Sequence, residues 1–174
     1  FRRVLFRSLA IMLCAFIFRD SCKDWINIIK IYAALGAVLG HNFPFFMHFK
    51  GGKGIACTAG YNVAFGWLPT LLGVIVFFTT FFITHLVSLC SIVVYVFIMI
   101  EAVVFGQMGY LDLSGPLLYE FYAVVFFLML MAIWRHKENV KRLLSGTERK
   151  TYITKKPEIC GEDQKALKEE NHNG

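Results

Sequence analysis

A chain of 174 residues with 57% apolar and 16% aromatic side chains and a mean hydropathy of +0.57 is too apolar for a soluble domain of ordinary size. Its 18 basic residues against 12 acidic ones leave a net charge of +6, which reads as a topology signal and an attraction to membrane surfaces. Nucleic-acid binding would need a basic folded surface and none is visible, so the fold expected is all-α, a polytopic integral membrane helix bundle.

Six apolar runs follow one another: 4–18, 25–39, 55–65, 68–83, 86–105 and 117–134. A bilayer core takes about 20 helical residues to cross, or slightly fewer with interfacial anchors. The last two runs are long enough, 68–83 is marginal, and the other three are short, tilted or cut. About six hydrophobic helices are therefore expected. The first run follows FRRVLFRS, three arginines with no Met, so the chain reads as an N-terminally truncated fragment whose residues 1–8 resemble translated sequencing adaptor and not native protein. A secretory signal peptide is the competing reading, but no small-x-small cleavage site precedes Arg19.

Between the second and third runs stands HNFPFFMHFKGGKGIA, residues 41–56. Gly51, Gly52 and Gly54 can adopt positive φ without steric cost, so successive N–H groups can turn inward as an anion-binding concavity. Lys53 adds a point charge, and the run from Ile55 places a helix N-terminus behind the loop. This outlines a phosphate cradle. A Walker A loop is excluded, since Met47 and Gly54 occupy positions that pattern gives to Gly and Ser or Thr. The plainer alternative is a tight turn whose lysines only mark one side of the membrane.

Basic residues near helix ends stay on the cytoplasmic side. Residues 135–156 carry eight Lys and Arg, whereas 106–116 carry none. Counting one crossing per run puts 106–116 outside, 84–87 inside, 66–69 outside and 40–54 inside, so the glycine loop and the basic C-terminal segment share a face. In that segment, RHKENVKRLLSGTERK (residues 135–150), helical spacing groups His136 with Asn139, and Arg135 with Asn139 and Arg142. An imidazole, an amide and two guanidinium groups suit phosphoryl and carbonyl oxygens. Glu138 and Arg142 are spaced as a helix-supporting pair, Val140, Leu143 and Leu144 as a membrane-resting face, and Gly146 as a helix stop. A basic amphipathic anchor helix is the plainer reading.

The five cysteines (14, 22, 57, 90 and 160) lack metal-ligand or C-x-x-C spacing and read as small buried hydrophobes. From residue 151 onward periodicity is lost, and the last 18 residues hold five acids against two lysines. The expected division is a transmembrane domain over 1–150 and a disordered cytoplasmic tail over 151–174.

Both LGHNFPFFMHFKGGKGIA and RHKENVKRLLSGTERK resemble signature motifs of the bacterial acyl-phosphate:glycerol-3-phosphate acyltransferases, the PlsY family. The first is similar to G-H-x-x-P-x-F-x-x-F-K-G-G-K-G-V-A-T, with Gly40, His41, Pro44, Phe49, Lys50, Gly51, Gly52, Lys53 and Gly54 on its positions. The second supplies His136, Asn139 and Glu148. HLVSLCSIV, residues 85–93, resembles the turn between them, and the likeness covers about residues 25–150. It implies seven helices in a complete chain. It also implies a site of His136 and Asn139 as catalytic residues, with Lys50, Gly51, Gly52, Lys53, Gly54, His41, Arg135 and Arg142 binding substrate phosphate, and Pro44 and Glu148 structural. The implied reaction moves a fatty acyl group from acyl phosphate to glycerol 3-phosphate in the bacterial cytoplasmic (inner) membrane. It uses no metal or cofactor, and the chain is expected to work as a monomer among membrane lipids with its site facing the cytoplasm.

Two departures stand out. Cys57 replaces the motif's Thr, and the family's first motif, G-S-G-N-x-G-A-T-N, is absent from residues 1–39. The other functional class weighed is a non-enzymatic anion transporter or interaction subunit. It would need a polar path, and the long run 86–105 carries Glu101 as its single charge. A CDP-alcohol phosphotransferase would need an early Asp cluster, whereas the chain has only Asp20, Asp24, Asp112 and Asp163. The acyltransferase pattern H-x-x-x-x-D is likewise missing.

Overall fold

The structure, a computed structural model, describes residues 9, 11–14, 16–18, 25–44, 51–52 and 54–152. Phe49, Lys50, Lys53, Cys22, Cys160, residues 1–8 and the tail from 153 lie outside the described residues, so the expectations placed on them are not tested. Helical backbone occurs at 11–14 and 16–18. Six helices then follow: α1 (Ile26–Asn42), α2 (Ile55–Phe65), α3 (Trp67–Thr84), α4 (Val87–Gln107), α5 (Pro116–Arg135) and α6 (Lys137–Leu144).

The apolar runs become helices because in hydrocarbon every backbone polar group must be satisfied within its own segment. Their ends follow local chemistry. Gly66, at φ 133°, separates α2 from α3 with a single residue. Gly115 precedes Pro116, whose missing N–H costs nothing at a helix start. Helices α3, α4 and α5 are each long and apolar enough to cross a membrane. For α3 this exceeds the marginal 68–83 expected, since Trp67 and Thr84 extend it.

Helices α1 to α5 form a closed ring in chain order, each against the next, with α5 returning to α1. Ile31 and Ala34 of α1, Phe65 of α2, Ile98 and Phe105 of α4, and Phe121 of α5 are among the side chains that fill its centre. Two sets of contacts define the ends. Asn27 Nδ2 donates to the Leu111 carbonyl at 2.7 Å, and a Cβ on Gly66 would stand 2.7 Å from the Tyr110 hydroxyl. The start of α1, the α2–α3 break and the α4–α5 loop therefore lie together. At the opposite end are the glycine loop, the α3–α4 turn and α6. Exposed Trp25, Trp67 and Tyr119 ring the first end and Trp134 the second, as an aromatic belt would. The glycine segment and α6, which the crossing count put on one face, lie at one end of the bundle.

Helix α2 has only 11 residues, about 16 Å against a hydrocarbon core of about 30 Å. It nevertheless reaches the far end at Gly66. Its starting point is therefore set inward, and Gly54 sits beside Tyr95, two turns inside α4.

Candidate functional site

Helix α1 runs past the apolar pattern, so Gly40, His41 and Asn42 are helical where the sequence suggested loop. Packing explains this: Val38 and Asn42, four apart, are both buried against the bundle. The helix ends there, ahead of the buried Pro44, which disfavours helical backbone at Phe43. The glycine segment returns onto the helix end, with the Gly52 N–H donating to the His41 carbonyl at 3.2 Å. That N–H thus faces the helix end, not inward as a concavity of successive donors would have it.

Glycine is required here by close approach. A Cβ on Gly51 would overlap the carbonyl oxygens of His41 and Asn42 and lie 2.6 Å from the Asn42 carbonyl carbon. On Gly52 it would overlap the His41 imidazole. Gly54 adopts φ +85°, the left-handed region.

Arg135, the last residue of α5, clamps this segment. Its Nη2 donates to the Gly51 carbonyl at 2.7 Å and the Gly52 carbonyl at 2.9 Å, and its Nε to Gly52 at 3.2 Å. The guanidinium lies 5.6 Å from the Phe43 ring centre, and Phe43 stacks on Trp134. The sequence suggested one helix face for Arg135, Asn139 and Arg142. The structure separates them, because the chain breaks at His136 between α5 and α6 and Arg135 turns toward the glycines.

His136 joins the two helices. Its N–H is shared between the Ala132 and Ile133 carbonyls, and its carbonyl accepts from Val140 N–H at 2.8 Å. The side chain is fully buried, with Nδ1 2.8 Å from the Ala132 carbonyl. A carbonyl only accepts, so Nδ1 carries a proton. The imidazole meets the Tyr95 ring edge-on at 6.3 Å. The Tyr95 hydroxyl is 2.9 Å from that of Thr58, which also donates to the Gly54 carbonyl at 3.2 Å. His136 and the start of α2 thus border the same interior region.

Asn139 is buried and held by two groups: Nδ2 donates to Ser88 Oγ at 2.5 Å and to Glu148 Oε1 at 2.8 Å. Ser88 donates to the same carboxylate oxygen, and Arg142 Nε donates to Glu148 Oε2 at 2.7 Å. The Glu138–Arg142 pair suggested by spacing is not formed; Glu138 sits 3.7 Å from Lys141 on the exposed face. Gly146, at φ 71°, accounts for this. It donates to Leu143 while Thr147 N–H donates to Arg142, so the chain reverses and carries Glu148 back to Arg142. A charge-assisted bond within a network outweighs an exposed i,i+4 pair. The segment ends on the α3–α4 turn, with Thr151 N–H donating to the His85 carbonyl at 2.8 Å. Ser88 was not among the residues singled out in the sequence. Its hydroxyl is visible there, but its partners lie 51 and 60 residues away.

The Ser88 hydrogen bond, followed by those from Asn139 and Arg142, lowers the Glu148 carboxyl to about 2. A depressed carboxylate adds stability that is complete above its unfolded value of about 4.5 and is lost as pH falls toward 2. Thermal unfolding in detergent is expected to show wild type above Glu148→Gln at pH 6, with the gap closing between about pH 4.5 and 2. An equal gap across that range would exclude the carboxylate as its source.

A cleft of about 530 Å³ opens between α2, α3 and α4. Val63, Val74, Phe77, Phe78 and Val94 line its apolar length, and Thr58 and Tyr95 also border it. Among the described residues no three His, Cys, Asp or Glu side chains are grouped to hold a metal ion.

A family profile described as glycerol-3-phosphate acyltransferase matches residues 5–146. A glycerol-3-phosphate acyltransferase of Macrococcus caseolyticus is 34% identical over 130 residues, covering 75% of this chain and 61% of the relative. Glycerol-3-phosphate acyltransferase 2 of Thermotoga maritima is 38% identical over 123 residues, covering 71% and 57%. The chain thus spans roughly 60% of the length of these curated relatives. Among solved structures, the crystal structure of PlsY (YgiH), an integral membrane glycerol 3-phosphate acyltransferase, in its lysophosphatidic acid form, superposes with a TM-score of 0.68 at 28% identity. The likeness covers 86% of this chain and 70% of that one, and the glycerol 3-phosphate form gives a TM-score of 0.66.

Proposed function

The chain belongs to the glycerol-3-phosphate acyltransferase family and is a multi-pass membrane protein, and from that premise we propose that it transfers a fatty acyl group from acyl phosphate to the sn-1 hydroxyl of glycerol 3-phosphate. The observation that carries this reading is the meeting of two signature segments: Arg135 holds Gly51 and Gly52, 84 and 83 residues away, and His136 borders the region where α2 begins. The substrate oxygen attacks the acyl carbonyl, the bond from acyl carbon to phosphate oxygen breaks, and phosphate leaves with the hydroxyl proton or passes it to His136. The leaving group is already good, so positioning and charge stabilisation supply most of the acceleration, and no covalent enzyme intermediate is needed.

His136 Nε2 and Asn139 Oδ1 are assigned, as acceptors, to the reacting hydroxyl, since both Asn139 Nδ2 hydrogens go to Ser88 and Glu148. Lys50, Lys53, His41 and the N–H groups of Gly51 and Gly54 are assigned to substrate phosphate, the Gly52 N–H being taken by the His41 carbonyl. Arg135 and Arg142 carry charge at the same end while holding the glycine segment and Glu148. The cleft between α2, α3 and α4 suits the acyl chain, since its length is apolar and it reaches Thr58 and Tyr95 beside the glycine segment. The test is transfer from palmitoyl phosphate to glycerol 3-phosphate by the full-length protein in detergent. Lysophosphatidic acid is the expected product, and phosphate release without that ester would overturn the reading.

Orientation follows the basic-residue bias: the glycine segment and α6 face the cytoplasm, and 108–115 faces outward in a bacterial inner membrane. In a cysteine-free background, Ser114→Cys is expected to react with an impermeant maleimide on intact cells and Lys150→Cys only after lysis. The reverse pattern would invert the topology. The protein is proposed to act as a monomer.

A further inference from the structure

Asn42 is the last residue of α1 and is fully buried, yet neither its amide nitrogen nor its amide oxygen has a hydrogen-bond partner. Leaving both ends of one amide unpaired in an interior forfeits the hydration of each, so such a side chain is kept where something else meets it. Asn62 Oδ1, Glu101 Oε1 and His85 Nδ1 are also unpartnered, but each is a single atom, and none lies against the glycine segment. Asn42 does. Its carbonyl faces Gly51, and its Oδ1 lies 3.4 Å from the point where a Cβ on Gly54 would stand, beside the Tyr95 hydroxyl at 3.2 Å from that point. Gly54 thus leaves open the approach that any other residue would crowd.

The chemistry of the missing partner can be narrowed by elimination. An amide with both ends unpaired needs a group, or adjacent groups, that both accept and donate. Phosphate oxygens and an acyl carbonyl only accept and would leave Oδ1 unpaired. The hydroxyls of glycerol do both. We propose that Asn42 is the specificity residue for the glycerol moiety, accepting from one hydroxyl through Oδ1 and donating to its neighbour through Nδ2. This rests on the function proposed above and deepens it. It makes the amide a gauge of the vicinal diol, separate from the phosphate contacts.

A site built to bond a hydroxyl rejects an analogue that lacks it far more strongly than an apolar pocket does, because its own polar atoms are then left unpaired. The experiment compares glycerol 3-phosphate with 3-hydroxypropyl phosphate, which lacks the central hydroxyl, as acyl acceptors for the full-length protein. Wild type is expected to prefer glycerol 3-phosphate by at least about a hundredfold in kcat/KM, and Asn42→Ala and Asn42→Leu to bring that preference within about threefold. The ratio is measured on whatever fraction folds, so a loss of expression does not confound it. A preference unchanged in a variant that still turns over would overturn the proposal and leave Asn42 to an ordered water or to purely structural duty. No transfer to either acceptor by wild type, with no stabilisation by glycerol 3-phosphate, would instead overturn the function on which the proposal rests.

Discussion

Gly51→Ala is expected to lower kcat/KM for acyl transfer by a hundredfold or more, the largest effect of any single methyl group in the described structure. The obstacle is main chain. The added carbon would overlap the carbonyl oxygens of His41 and Asn42, which are fixed at the end of α1 and cannot rotate away. The segment must move by roughly an ångström, and a shift of that size in a reacting geometry costs about 10²-fold. It would also draw the Gly51 and Gly52 carbonyls from Arg135. Gly52→Ala meets only the His41 imidazole, a side chain able to swing aside, so a loss of about tenfold is expected, mainly as a raised KM for glycerol 3-phosphate. Steady-state kinetics on matched amounts of folded protein distinguish the two. Equal, small effects would mean that the segment is not packed against α1 as described.

His136→Ala and Asn139→Ala are each expected to reduce kcat/KM about a hundredfold. Both Nδ2 hydrogens of Asn139 go to Ser88 and Glu148, so Asn139 Oδ1 and His136 Nε2 are proposed as acceptors for the proton of the attacking hydroxyl, a role that contributes about 10²–10⁴-fold. The two should differ in how they respond to repair. Asn139 is oriented by Ser88 and Glu148, so Ser88→Ala is expected to reproduce part of the Asn139→Ala loss. His136 is oriented by the Ala132 carbonyl, which no side-chain substitution removes, and should show no such surrogate. Near-normal turnover by both alanine variants would remove this corner from the chemistry and leave it as an anchor.

Much of the fold was legible because hydrocarbon leaves the chain few choices. The runs 55–65, 68–83, 86–105 and 117–134 became α2 to α5 with ends shifted by two residues at most, and Gly146 stops α6 as expected. The errors share one cause. Gly40, His41 and Asn42 are polar or small and read as loop, yet tertiary burial of Asn42 keeps them helical. The break at His136 has no proline or glycine to announce it, so Arg135 was grouped with Asn139 and Arg142. The acceptors of Arg135 are main-chain carbonyls, which every residue possesses and no sequence pattern distinguishes. Glu148 was visible as a motif residue, but its bonds to Ser88 and Arg142 depend on a chain reversal that spacing along a helix does not encode.

The clamp between Arg135 and the glycine carbonyls also sets an order of events during biosynthesis. The two partners are 83 and 84 residues apart. At about 5–20 residues per second, a ribosome reaches Arg135 some 4–17 s after the glycines. Throughout that interval the segment before α2 has no guanidinium to receive its carbonyls, and α2 is too short to draw it inward alone. The inset position must therefore be taken up late, when α5 arrives and the ring of helices closes. A nascent chain arrested before residue 135 should hold Gly51 and Gly52 in water at the membrane surface, accessible to a soluble protease, and lose that accessibility once α5 is released.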